Sequence, residues 1–282
     1  VALYVGINGV AKKCVNLYAG VNGTAKRVKT LYSGMGGSLK KSIRTRYSTT
    51  TPNYTLKTYE DVFTSSVALY LPSSIVGNPT VFLVGGGGGG GDVNYVCYTY
   101  QISGGGGGGG YTTTQTAVLD YPGQALSISI GTGGSPNCNG GITQITKSGA
   151  YITSAKGGEA PFSMYMGIYG VNGYDVNMAG GDGGSGGGSG SYLSWYDTYY
   201  RAATYGASDG GNGLDSDGYI GSNGQGRTTR AFGESNGTLY AGGGGGSPGV
   251  AGGSGGGGSF RQYGYANTGG GGGGMAWYDY LN

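Results

Sequence analysis

The sequence predicts a mainly β and irregular fold with almost no α-helix. Its parts are N-terminal β-hairpin repeats, a small β-collar, and a bundle of packed polyglycine-II helices with distal aromatic loops. Three observations predict this. Glycine is gathered into runs at 85–91, 104–110, 242–246, 255–258 and 269–274. The segments between runs are rich in tyrosine, with 27 copies in 282 residues, rather than in charge. Residues 1–46 repeat with a period of fourteen.

A glycine run admits few ordered conformations. In a helix each glycine costs about 1 kcal/mol against alanine. In a pleated strand it offers no side chain to pack. The remaining ordered form has three residues per turn and no internal hydrogen bonds, and at about 3.1 Å per residue a seven-residue run spans roughly 22 Å. Its N–H and C=O groups must therefore find partners in neighbouring runs. Close lateral packing leaves no room for a Cβ, as at the collagen axis. Uninterrupted glycine then belongs in the interior and Gly-Gly-X at the faces. Residues 180–190, with Asp182, Ser185 and Ser189 among the glycines, fit a face rod. Glycine and proline make up 78 of 282 residues, a composition that also suits disorder. The similar run lengths and their alternation with aromatic segments favour order.

Taken in order, Leu3-Tyr4-Val5-Gly6-Ile7-Asn8-Gly9-Val10-Ala11-Lys12-Lys13 is followed by Leu17-Tyr18-Ala19-Gly20-Val21-Asn22-Gly23-Thr24-Ala25-Lys26-Arg27. A looser copy starts at Leu31-Tyr32. Asn-Gly between short alternating segments is a strong hairpin signal, so three hairpins in a row are expected. Each is too small to fold alone, which favours an oligomeric or partner-bound base. Residues 1–50 form this attachment region, and residues 51–282 form the glycine-rich domain. Collar strands are expected within 54–84 and 117–130, from the weak alternation of 54–71, from Val81-Phe82-Leu83-Val84 and from Leu126-Ser127-Ile128-Ser129-Ile130.

The path follows. Val84 leaves the collar and run 85–91 carries the chain away. Residues 92–103 turn at the far end, and run 104–110 returns. Further aromatic inserts lie at 163–178, 192–205, 260–267 and 275–282. Strict up-and-down counting puts the last two at opposite ends, and the C-terminal one is expected at the distal end.

Composition narrows the function. Residues 1–60 hold ten Lys/Arg against Glu60, while 61–282 hold six basic and twelve acidic residues. A basic end could meet nucleic acid or an acidic partner, but a solvated hairpin face explains it as well, and nucleic acid is not the expected partner. Cys14, Cys97 and Cys138 make an odd count without CxxC, and there is no histidine. Neither a zinc site nor histidine acid–base chemistry is expected, and the residues point away from an enzyme. Asp215-Ser216-Asp217-Gly218 lacks the spacing and the final Glu of a calcium loop. The GxGxxG matches open no helix, so no nucleotide site is supported. No cofactor or metal is expected. No apolar run is long enough to span a membrane, no signal peptide is visible, and the chain begins at Val1.

The serial order of features resembles the glycine-rich domain of phage tail-fibre and tail-tip proteins. The matching pieces are Leu71-Pro72 before 81–91, Tyr121-Pro122-Gly123, Ser127-Ile128-Ser129-Ile130-Gly131, Gly140-Gly141-Ile142-Thr143, 180–190, 227–240, 242–246 and 267–274. The resemblance covers 54–274 and extends to the polyglycine-sandwich adhesins of T-even-like phages, which cap a long tail fibre and bind host receptors through variable tip loops. The fourteen-residue repeat looks like those of phage and prophage structural proteins of gut Firmicutes. One departure is that family members often close with Gly-Ser-Gly and an aliphatic strand, whereas this sequence ends with residues 275–282.

The resemblance implies a virion tail-tip, extracellular protein. Residues 1–50 would bind other tail proteins, and the base would be a homo-oligomer, by analogy a trimer. The receptor would be a host surface glycan or protein. Tyr and Trp give large contacts at low entropy cost, and Ser, Gly and Asn give adaptable hydrogen bonds. The receptor-binding candidates are therefore the insert aromatics Tyr95, Tyr98, Tyr100, Tyr165, Tyr169, Tyr174, Tyr192, Trp195, Tyr196, Tyr199, Tyr200, Trp277, Tyr278 and Tyr280. About half of the tyrosines are expected instead to pack over the rods and seal the bundle. The alternative is a purely structural fibre whose aromatics mediate chain packing. Ice binding would favour regular Thr or Ala arrays, which the rods lack.

Overall fold

The computed structural model describes residues 3–7, 10–14, 18–21, 24–27, 30–35, 38–51, 54–70, 78–92, 100–116, 125–162, 164–168, 171–176, 179–194, 200–201, 203–213, 222–246 and 250–275. It is mainly β, and its one helical element among the described residues is a 3-10 turn at Ala231–Gly233. The chain divides into two compact units, Val1–Phe63 and Thr64–Asn282.

The first unit is a series of antiparallel pairs. Strand β1 (Leu3–Ile7) pairs with β2 (Val10–Cys14), and β3 (Tyr18–Val21) pairs with β4 (Thr24–Arg27). These pairs flank Asn8-Gly9 and Asn22-Gly23, as the hairpin signal predicts. Strand β5 (Thr30–Met35) pairs with the first half of the long β6 (Ser38–Thr51). The second half of β6 pairs with β7 (Tyr54–Glu60), from Thr51 opposite Tyr54 to Arg44 opposite Glu60. The alternation over 54–71 therefore divides. Its first part returns along β6 instead of joining the collar, because that neighbour is reached at the smallest loop-closure cost.

The strands of the second unit are β8 (Val67–Tyr70), β9 (Thr80–Val84), β10 (Tyr100–Ile102), β11 (Thr112–Thr116), β12 (Ala125–Ser129), β13 (Thr143–Lys147), β14 (Ala150–Ala155), β15 (Met164–Ile168), β16 (Val171–Val176), β17 (Tyr192–Ser194) and β18 (Tyr200–Arg201). Two small antiparallel sheets make the collar, one ordered β14-β13-β12-β8 and the other pairing β9 with β11. In β12, Leu126 and Ile128 are buried while Ala125 and Ser127 are exposed, the period-two pattern of a strand with one covered face. With Leu83 and Ile145 they supply the aliphatic core. Polar strand β11 carries no sequence signal of its own. It forms because β9 and β11 border the two long glycine runs, and the bond from Gly85 N–H to the Tyr111 carbonyl sets them in register.

Beyond the collar the glycine runs are cross-linked backbone to backbone, and the partners repeat every third residue. In run 85–91, Gly85, Gly88 and Gly91 donate to the carbonyls of Tyr111, Gly108 and Gly105, an antiparallel register. Run 104–110 is the axis. Its Gly104, Gly107 and Gly110 donate to Met275, Gly272 and Gly269; Gly106 and Gly109 donate to Gly188 and Ser185; Gly108 donates to Glu159. Its carbonyls accept from run 85–91, from Gly181 and Gly184, and from Gly244. Six segments thus surround one backbone. The approach leaves no room for a side chain: a Cβ on Gly107 would come within 2.6 Å of the Gly89 carbonyl oxygen and closer still to that of Gly88.

Residues 180–190 differ from the expected face rod. The chain doubles back, so that Gly187 N–H bonds the Gly181 carbonyl. Ser185 and Ser189 are fully buried. Their hydroxyls are tolerated inside because each meets a partner: Gly210 N–H donates to Ser185 Oγ, and Ser189 Oγ lies 3.2 Å from Thr204 Oγ1. Glycine permits run and reversal equally, so the pattern does not mark the turn.

Side chains close the collar end. Gln225 bonds both the Thr112 N–H and the Thr112 hydroxyl, and Arg227 Nη2 donates to the Thr112 carbonyl. Phe82 packs on Phe232 and Tyr240, with ring centroids 5.7 and 5.5 Å apart. Tyr240 thus takes the sealing role expected of half the tyrosines. So does the partly buried Tyr111, under Lys156 Nζ at 5.6 Å. Burial raises the Tyr111 hydroxyl's pKa against the lowering by Lys156. Lys156 also pairs with Glu159, whose hydrogen bond raises the lysine's pKa.

Asp209 ties this end together. Its carboxylate accepts from Thr228 Oγ1, from Thr229 N–H and from Arg230 Nε. Its pKa is lowered, first by the Thr228 hydroxyl and also by the Thr229 amide and Arg230. A carboxyl with a folded pKa below its unfolded value stabilises at neutral pH, and that stabilisation disappears as pH falls through the folded pKa. Asp209→Asn is therefore expected to lower the melting midpoint at neutral pH and to show a smaller further decrease than wild type between about pH 5 and pH 3. Parallel pH–melting curves for the two proteins would remove Asp209 from this role.

Candidate functional site

The aromatic inserts are placed by where the runs end. Gly91, Ser103, Ser191 and Met275 meet at the end away from the collar. Met275 N–H donates to the Gly91 carbonyl, Gly104 N–H to Met275, and Ser103 N–H to Ser191. Inserts 92–103 and 192–205 thus both start from one end, and Met275, the last described residue, lies there too; residues 276–282 lie outside the described residues. Insert 260–267 also begins there, since Arg261 N–H donates to the Gly274 carbonyl. It then runs back toward the collar, with Gly273 bonded to Gln262 and Tyr265 to Gly256.

Two of these inserts pair. Strand β17 lies between β10 and β18, with Tyr100 opposite Ser194, Ile102 opposite Tyr192, and Leu193 opposite Tyr200. Candidates Tyr100, Tyr192 and Tyr200 are therefore held in one three-stranded sheet. Tyr165 and Tyr174 lie on the separate hairpin of β15 and β16, opposite Asp175 and Met166. Tyr95, Tyr98, Tyr169, Trp195, Tyr196, Tyr199, Trp277, Tyr278 and Tyr280 lie outside the described residues.

A buried polar clasp roots the three-stranded sheet. Ser191 N–H donates to Ser103 Oγ at 2.7 Å, and the two hydroxyls are 2.8 Å apart. Ser103 is 1% exposed, so solvent cannot replace a lost partner. Ser103→Ala leaves the Ser191 amide without this acceptor and is expected to destabilise by about 1–3 kcal/mol. Urea unfolding measures this; an unchanged midpoint would show that the clasp contributes nothing.

Other exposed rings were not among the candidates. Tyr205, Tyr263 and Tyr265 are 59%, 70% and 64% exposed. All three lie within the inserts at 192–205 and 260–267, but strict up-and-down counting places the second of these at the other end.

The geometry defines a glycine-rich β protein whose runs are cross-linked by backbone hydrogen bonds, with inserts 92–103 and 192–205 anchored at one end. The chain belongs to the glycine-rich domain family, whose model matches residues 64–281. No curated protein and no solved structure matches it. No helix among the described residues is long and apolar enough to cross a membrane.

Proposed function

We propose that the glycine runs pack as a bundle of polyglycine-II helices, and that the protein is a receptor-binding tail-fibre or tail-tip component of a phage or prophage-like particle. In this reading the bundle and collar are scaffold. The Tyr/Trp/Asn inserts contact a host surface glycan or protein, and residues 1–50 join other tail proteins, as a trimer by analogy with tail fibres. The bundle is supported by the threefold recurrence of donors, which matches a helix of three residues per turn without internal hydrogen bonds. The receptor reading is carried by one observation: separate aromatic inserts leave a backbone-locked scaffold from the same end. Binding residues concentrate on loops held by rigid frames, and such loops favour Tyr, Ser, Gly and Asn. Binding rather than catalysis is the proposed role.

The test is saturable binding of labelled protein to a panel of bacterial strains. Binding to some strains and not to others is expected. Absence of binding to any strain, with assembly into fibres instead, would favour the purely structural alternative.

A further inference from the structure

The side of the bundle carries a feature that the tip reading does not use. Residues 261–268 descend along the outside of run 269–274. Gly264 faces inward: a Cβ there would come within 2.5 Å of the Gly270 carbonyl carbon. Tyr263 and Tyr265 on either side are 70% and 64% exposed. Packing does not account for them, because the inward contact is made by the glycine. Their backbone is nevertheless fixed. Arg261 N–H bonds Gly274, Gly273 N–H bonds Gln262, and Tyr265 N–H bonds Gly256. Thr268 Oγ1 donates to the Tyr265 carbonyl at 2.7 Å. Arg261 and Asn267 bracket the segment with φ of 59° and 62°.

At about 3.1–3.3 Å per residue the two rings start roughly 6–7 Å apart along the chain. Exposed Gln262 and Asn267 supply amide donors and acceptors beside them. Between Gln262 and Asn267 there is no charged residue, and Arg261 stands at one end. Aromatic faces attract the C–H faces of sugar rings, and neighbouring amides match hydroxyls. The absence of a row of cations disfavours a phosphate polymer, which is held by several Lys/Arg contacts. A fixed backbone reduces the ordering cost that weakens binding by flexible segments.

We propose that Tyr263 and Tyr265, with Gln262 and Asn267, form a lateral subsite for a neutral polysaccharide chain, separate from the tip. The site engages a surface glycan independently of what the tip binds.

The test is affinity electrophoresis of the full chain through native gels containing dextran, mannan or a soluble β-glucan, with heparin as the anionic comparison. Retardation is expected with at least one neutral glycan. Tyr263→Ala/Tyr265→Ala should weaken it at least tenfold without moving the melting midpoint, whereas Tyr263→Phe/Tyr265→Phe should keep most of it. Tyr151→Ala, which removes an equally exposed ring from the collar strand β14, should be retarded like wild type. The proposal is overturned if no neutral glycan retards the protein, if heparin alone does, or if the double alanine variant keeps wild-type retardation. Loss of retardation in Tyr95→Ala/Tyr98→Ala/Tyr100→Ala, with wild-type retardation of the lateral double alanine variant, would assign glycan binding to the tip and likewise overturn the lateral site.

Discussion

Gly107→Ala is expected to destabilise the protein by at least about 3 kcal/mol, the upper end for overfilling a packed interior. For a domain of this size that is a decrease of about 6–12 °C in melting midpoint. Gly107 lies in the axial run. It donates to Gly272 and accepts from Gly244, both at 2.8 Å. The added methyl would meet the Gly88 and Gly89 carbonyls, and these are backbone atoms that cannot rotate away. Moving them would break the bond from Gly88 to Gly108. The matched control is Gly133→Ala. That glycine is exposed, and the nearest atom to its added Cβ, outside its chain neighbours, is 4.0 Å away. Surface substitutions of this kind stay within about 0.5 kcal/mol. The same chemical change should therefore be severe at one glycine and nearly silent at the other. Equal midpoints for the two variants would mean that the axial packing does not hold the fold.

Tyr95→Ala/Tyr98→Ala/Tyr100→Ala is expected to lower host-cell binding by about a hundredfold, as when several hot-spot aromatics are removed together, while leaving the melting midpoint within about 2 °C. Insert 92–103 leaves the bundle at Gly91 and re-enters at Ser103. Those two points are fixed by the backbone bonds from Gly91 N–H to Gly105 and from Ser103 N–H to Ser191 and by the hydroxyl clasp of Ser103 and Ser191. None of these bonds uses a tyrosine ring, so removing rings from the insert leaves them intact. Binding and stability should thus separate in this variant, whereas Gly107→Ala should lose them together. Unchanged cell binding, or a changed assembly state with unchanged binding, would count for the structural-fibre alternative.

Much of this architecture is legible in the sequence, for physical reasons. A seven-glycine run has no side chain to pack, so its only source of cohesion is its amides. That requirement is met by the mutual bonding of runs 85–91 and 104–110. Asn8-Gly9 and Asn22-Gly23 mark hairpins through local turn chemistry, and alternation at Leu126 and Ile128 marks a covered strand face. The rest depends on partners remote in sequence. Strand β11 is nearly all threonine, and its place is set by β9 across two glycine runs. The reversal within 180–190 is silent because glycine carries no conformational preference that distinguishes turn from run. Asp209 gives no hint of its bonds to residues 228–230 about twenty positions away. Among the candidate rings, Tyr100, Tyr192 and Tyr200 share a sheet through the pairing of β10, β17 and β18, which period and composition do not encode.

Amide hydrogen exchange of the full chain, resolved by NMR, tests the central claim most directly. A backbone lattice predicts that the amides of Gly88, Gly106, Gly107 and Gly109 exchange at least as slowly as those of β12 in the collar sheet, although no side chain shields them. Exchange of these glycines at the rate of an unstructured chain, with β12 still protected, would contradict it.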